Sequence, residues 1–175
     1  MNKILPFAFP LIISLFLSLN LCWADPAAFG LELGKATLKD IEANHKVIKR
    51  NDAIFDGHIV NIEPHKLGLE ELKSVFFYCD KDGVIQSTVL VMNQEKFDDM
   101  FKALSGKYKL VSKDIPFVGT KSAYFEDGAS IIFINAPHLS FEMEVAYQTK
   151  KFSDALHKKH DQQKTDEREK EKSLL

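Results

Sequence analysis

Cysteine and histidine are the residue types here that could hold a metal or form a nucleophile–base pair. The sequence has two cysteines and six histidines. Cys22 stands in a leading apolar segment, so Cys79 is the one thiol of the remaining chain. A catalytic thiol needs a base beside it. Cys79 closes an apolar run and is followed by Asp80, whose carboxylate disfavours a thiolate. A small buried hydrophobe is the better role for it. His157 and His160 stand at i, i+3 of a helical pattern, a spacing that can hold a metal. Lys158 and Lys159 lie between them and repel a cation, so a solvated polar face is the better reading. His58, Glu63 and His65 could converge across a strand and a loop, but their spacing fits no zinc motif. Glu70-Glu71 and Asp98-Asp99 are adjacent pairs that point apart, as solvated carboxylates do. There is no Gly-x-Ser-x-Gly elbow and no Gly-x-x-x-x-Gly-Lys-[Ser/Thr] loop, and Gly119 and Gly128 belong to no phosphate cradle. No residue is therefore assigned to catalysis, to a cofactor or to a metal.

The N-terminus says where the chain goes. Lys3 is the one charge of residues 1–24, and a run of Leu, Ile and Phe follows it. Cys22-Trp23-Ala24 has small residues at both ends, as signal peptidase requires. Pro6 and Pro10 interrupt the run, leaving about ten apolar residues where a spanning helix wants about 20. A cleavable export signal over residues 1–24 is expected, with no transmembrane segment after it. A lipid anchor on Cys22 is the competing reading, and Leu21 is too large for the position before a lipidated cysteine. The formal net charge is −2 for the whole chain. Loss of Lys3 makes the remainder more acidic, which argues against nucleic acid or an anionic membrane as partner.

These residues must be positioned by a domain of about 150 residues, enough for one core. Thr37 to Asp40 open a short helix that ends near His45 or Lys46. Val47–Ile62 reads as two short strands with a turn at Asn51-Asp52. Leu72–Cys79 and Val84–Met92 form a hairpin around Asp80-Lys81-Asp82-Gly83. In the return strand Ile85, Val89 and Val91 share one face, with Gln86 and Thr88 on the other. Asn93 caps a helix to about Ser105, and Gly106 stops it. Phe97, Met100, Phe101 and Leu104 recur as one apolar stripe, with Phe101 enclosed against the sheet. Lys121–Phe125, Ser130–Asn135 and Ser140–Gln148 are strands, the second apolar on both faces and the third half-buried. A helix follows from about Lys150.

The expected fold class is α+β: an antiparallel sheet of about six strands with two or three helices packed on one face. Gln94 to Asp99 and Gln148 to Asp154 look alike, and each follows a hairpin region with an Asp-Gly turn. A duplicated hairpin-helix unit would explain that. The domain spans 25–157, and 158–175 is a charged tail, helical or disordered, with no apolar stripe.

The segment Phe29-Gly30-Leu31-Glu32-Leu33-Gly34-Lys35-Ala36-Thr37-Leu38-Lys39-Asp40-Ile41 resembles the opening of small exported bacterial envelope proteins. Those of the SmpA/OmlA type and the β-lactamase-inhibitor-like domains begin with such a short strand, a Gly and a helix. Val47-Ile48-Lys49-Arg50 stands where those families carry Leu-Gly-x-Pro. The resemblance implies a periplasmic protein and carries over no site. The expected function is a non-enzymatic interaction module, periplasmic or secreted, whose partner is another envelope or secreted protein. A thiol enzyme using Cys79 and a carrier of a small apolar ligand stay open. No cofactor is expected, and the oligomeric state is not indicated.

Overall fold

The computed structural model describes residues 27–173. The export signal at residues 1–24 and the lipid-anchor reading of Cys22 lie outside them. A small hairpin opens the described chain, β1 (Ala27–Ala28) pairing with β2 (Leu31–Glu32). Helix α1 (Leu38–Asn44) follows. The Asp40 carboxylate accepts from both the Thr37 hydroxyl and the Thr37 N–H at 2.7 Å, closing the first turn. Those bonds, the hydroxyl's first, hold Asp40 below the usual carboxylate range. Seven residues are too few for a stable isolated helix. What holds α1 is Ile41, fully buried against the sheet.

The sheet strands are β3 (Val47–Asp52), β4 (His58–Ile62), β5 (Leu72–Cys79), β6 (Ile85–Asn93), β7 (Lys109–Asp114), β8 (Lys121–Asp127), β9 (Ser130–Ala136) and β10 (Glu142–Thr149). Helix α2 (Phe97–Lys107) lies between β6 and β7, and α3 (Lys150–Ser173) follows β10. All eight strands pair antiparallel in the order β3-β4-β5-β6-β10-β9-β8-β7. Two four-strand meanders thus meet at β6 and β10. Helix α2 carries the chain from the centre of the sheet to its far edge and packs on β8 and β9.

This corrects the expected fold. The protein is mostly sheet, with eight strands rather than about six. The strand absent from the sequence reading is β7, where all six residues are exposed. It has no inward–outward alternation to detect. The helices do not share a face either: α1 and α2 cover one side, and α3 begins on the other. A four-strand meander followed by a helix does occur twice, but the two Asp-Gly turns that suggested a repeat do not correspond. Gly83 closes the last turn of the first meander, whereas Gly128 closes the middle turn of the second.

One bulge decides which side chains are core. Tyr78 pairs with Ser87 and Cys79 with Ile85, so an extra residue enters β6 between them. A one-residue slip moves every following side chain to the other face. Ile85 therefore lies on the covered face, but Val89 and Val91 lie on the open one. Thr88, Leu90 and Met92 take the covered positions and are almost completely buried. The expected common face for Ile85, Val89 and Val91 is wrong for this reason. On the covered face Phe77, Ile62, Ile134 and Met143 meet Phe97 and Leu104 of α2. Phe101 is half-buried rather than enclosed, beside Phe97 and Phe125, with Lys113 Nζ 5.6 Å from its ring centre. The helix also runs through Gly106, ending at Lys107. The turn foreseen at Asn51-Asp52 falls later, at Ala53 to Gly57, because β3 continues through Asp52.

Candidate functional site

Cys79 has company that its sequence context hid. The register places Asp52 opposite His58 and His58 opposite Cys79, on three adjacent strands. His58 Nδ1 is 3.4 Å from Asp52 Oδ1, without hydrogen-bond geometry. Such a row has the residue types of a thiol relay. The thiol itself is out of reach. Cys79 has no exposed surface, and the cleft at Asp52, Asp56 and His58 does not include it. Burial, with Asp80 adding to it, pushes the thiol up to about 11. It stays protonated and packs as a small hydrophobe.

The other candidates disperse. His157 and His160 are exposed on α3, and His65 is exposed in the turn after β4. Glu63 pairs with Lys46 at 3.3 Å. Among the described residues no group of three or more His, Cys, Asp or Glu could hold a metal ion. Asp98 lies 3.9 Å from Lys121, and Lys96 lies between Glu70 and Asp99. These are exposed surface pairs, worth little each.

The second face of the sheet carries more. Its residues fall into rows that the ladder register defines. The middle row runs Lys49, Asn61, Phe76, Val89, Ala146, Phe133, Tyr124, Ser112 from edge to edge. Its five central members are apolar or aromatic and span β5 to β8, about 19 Å at ordinary strand spacing. The rows on either side are mostly polar, one holding Glu144 and Asn135, the other Ser87 and Gln148. Tyr124 and Phe133 lie with ring centres 6.0 Å apart, and Tyr124 is 48% exposed. Neither α1 nor α2 reaches this side.

Among the described residues the root of α3 and the turn at Ala53 to Asp56 close part of it. Phe152 stacks on Tyr78, ring centres 4.2 Å apart, and meets Phe55 edge-on. A polar chain sets this position. Gln86 Nε2 donates to Asp80 Oδ2, Thr149 Oγ1 donates to Gln86 Oε1, and the Phe152 N–H donates to Thr149 Oγ1. The Tyr78 hydroxyl donates to the Ile54 carbonyl at 2.6 Å, which fixes the facing wall. Phe55 and Asp56 both have φ +55, a left-handed conformation that strains non-glycine residues. Between these walls lies an open groove of about 660 Å³ with Ile59, Phe76 and Val89 in its floor and Glu144 and Gln148 at its side.

A second apolar cluster sits at one end of the sheet. Phe117 and Val118 of the β7–β8 loop and Leu139 and Phe141 of the β9–β10 loop are each more than two-thirds exposed. The His138 N–H donates to Thr120 Oγ1 and ties the loops together.

The chain matches no known family, no curated protein and no solved structure among those compared. Sequence reasoning missed the open face because the bulge in β6 hides its register. One signal was available: β9 is apolar on both faces, so one of the two had to meet something other than α1 and α2.

Proposed function

We propose that this chain is an exported, non-enzymatic interaction module that takes a protein partner on the open face of its sheet. The observation that carries the reading is the apolar row Phe76, Val89, Phe133 and Tyr124, each partly exposed and joined through the buried Ala146. A contiguous exposed apolar patch is a site of association rather than a neutral surface. Export rests on Lys3, the apolar run and Cys22-Trp23-Ala24, and places the partner in the periplasm or outside the cell. The resemblance of Phe29–Ile41 to envelope proteins agrees with that location. The thiol-enzyme alternative draws little support from a fully buried Cys79, and the carrier alternative little from a groove open along one side.

The test is position-dependent photo-cross-linking in cells that make the protein. A photoreactive residue at 133 or 124 should give one discrete protein adduct. The same residue at 102, on the outer side of α2, should give none. Adducts from all positions alike, or from none, would remove the reading.

A further inference from the structure

We infer that the groove at the root of α3 receives an extended partner segment bearing a lysine or arginine beside a large apolar side chain. The inference rests on the open-face reading above and specifies what that face recognises. Ser87 is the first observation. It is 2% exposed, it lines the groove, and its Oγ has no hydrogen-bond partner. A buried polar atom without a partner is costly, and such atoms in native proteins call for a reason. A hydroxyl in the groove wall that awaits a partner suits the N–H and C=O groups of an extended backbone.

Glu144 is the second observation. Its side chain lines the groove and has no hydrogen bond or ion pair among the described residues. Neighbouring carboxylates are already engaged, Glu142 with Lys73 and Glu126 with Lys150. An unpaired carboxylate beside an aromatic floor complements a cation carried on an apolar stem, as in lysine and arginine. The length of the site selects a polypeptide over a small molecule. The groove continues into the apolar row, which extends about 19 Å across the sheet, the reach of about six extended residues. Phe76 and Phe152 offer a pocket for the large apolar side chain, and Glu144 stands beside it for the cation.

Selection of random heptapeptides displayed on phage, with the isolated protein as bait, tests this directly. The selected peptides should be enriched in lysine or arginine next to Phe, Leu, Trp or Tyr. Glu144→Gln should abolish the basic preference and keep the apolar one. A synthetic selected peptide should bind Glu144→Gln about tenfold more weakly, as loss of a charge-assisted bond implies. Its counterpart with glutamate at the basic position should bind wild type no better than that. Ser87→Ala should weaken the original peptide while leaving the urea midpoint of the protein unchanged or raised. Apolar selection without basic residues, or a basic preference that survives Glu144→Gln, would overturn the inference and leave the open-face reading standing. Selection unaffected by Phe133→Asp, in a variant that keeps its urea midpoint, would overturn both. Failure to select any peptide would also overturn the inference, while the cross-linking at 133 would still judge the face itself.

Discussion

On one side of β5 stand Val75, Phe77 and Cys79, all fully buried; on the other stand Ser74, Phe76 and Tyr78, one of them closed over only by the root of a helix. The same contrast runs across the sheet. Ile132 and Ile134 of β9 face α1 and α2 with no exposed surface, while Ile131 and Phe133 face outward and are half-buried. Residue type hardly differs between the two sides. What differs is the cover. Burying a large apolar side chain contributes about 1.5–3 kcal/mol, and the covered face collects that repeatedly. The open face leaves much of the same chemistry unrealised within the chain, so a partner can collect it instead. The lesson is that hydrophobicity along a strand tells how much a face could bury. It does not tell what buries it.

Phe77 and Phe76 are adjacent and isomorphous, which makes them the sharpest test of the contrast. Phe77→Ala should cost about 3–5 kcal/mol, because it empties a closed site beside the stacked His45 ring. A domain of this size has about 5–15 kcal/mol in all. Phe76→Ala should cost well under half as much and should weaken partner cross-linking instead. Urea unfolding of both variants measures the difference. Equal losses would mean that the open face is covered after all. Gly57→Ala comes next. A Cβ there would lie 2.4 Å from the Cys79 carbonyl oxygen and 2.6 Å from the Tyr78 hydroxyl, at the rim where the two faces meet. Overpacking of this kind costs about 1–3 kcal/mol. An unchanged melting temperature would show that β3 and β4 give way there freely.

Ser87 and Thr88 lie on opposite faces of β6, the bulge beside them decides which face each takes, and each is buried without a partner. Thr88 Oγ1 lies in the covered core, where nothing can reach it. Thr88→Val keeps its shape and removes the stranded hydroxyl, so the protein should gain about 1 kcal/mol. Ser87 lies in the groove wall with almost no exposed surface, so Ser87→Ala should cost binding and not stability. If both changes only stabilise, the groove has no use for its hydroxyl.

Much of this arrangement was legible in the sequence. Leu72–Cys79 has the observed bounds, and α1, β6, β9 and β10 differ from the expectation by no more than two residues at either end. Strong turn chemistry at Asp80 to Gly83 and clean alternation at Met143, Val145 and Tyr147 made that so. Two kinds of information were not in the pattern. An edge strand such as β7 has no buried side and leaves no periodicity. A bulge leaves the composition intact and reverses the faces, so Val89 looked like core and Thr88 like surface. The candidate site depended on that reversal and was therefore invisible. Cys79 could be judged correctly as a packed hydrophobe from Asp80 and the apolar run alone. Its alignment with His58 and Asp52 needed the register.

His45 marks the covered side in its response to pH. Its ring lies between Phe77 and Phe29, its Nε2 is buried without a partner, and burial pulls its pKa below the ordinary 6.5. Lys46 and Glu63 line the adjoining cleft. The unfolded chain therefore takes up a proton at His45 before the folded chain does. Stability from this source is present above about pH 6.5 and declines as the pH falls through that value. Urea midpoints at pH 7 and pH 5 should differ less in His45→Gln than in wild type. An identical pH response in the two would place the sensitivity elsewhere.

The smallest expected effect concerns α3, whose root touches the open face. Phe152 and Ser153 are buried, and Ala155, Leu156 and Lys159 are half-buried. Lys159 Nζ sits 5.1 Å from the centre of the Phe55 ring. From His160 to Lys172 every residue is exposed. That stretch has helix-internal links such as Gln162 Nε2 to Asp166 Oδ1 at 2.8 Å, and exposed links of this kind contribute a few tenths of a kcal/mol each. They stabilise the helix without pressing it on the sheet. Removing Gln162 to Leu175 should therefore shift stability by no more than about 0.5 kcal/mol. It should leave cross-linking at 133 intact, because the helix root and its Phe152–Tyr78 stack remain. A melting temperature lowered by several degrees would mean that the outer turns of α3 fold back over the apolar row. The face described here as open would then have its cover within the chain. Stronger cross-linking on truncation would point the same way, because the partner would have been competing with the tail.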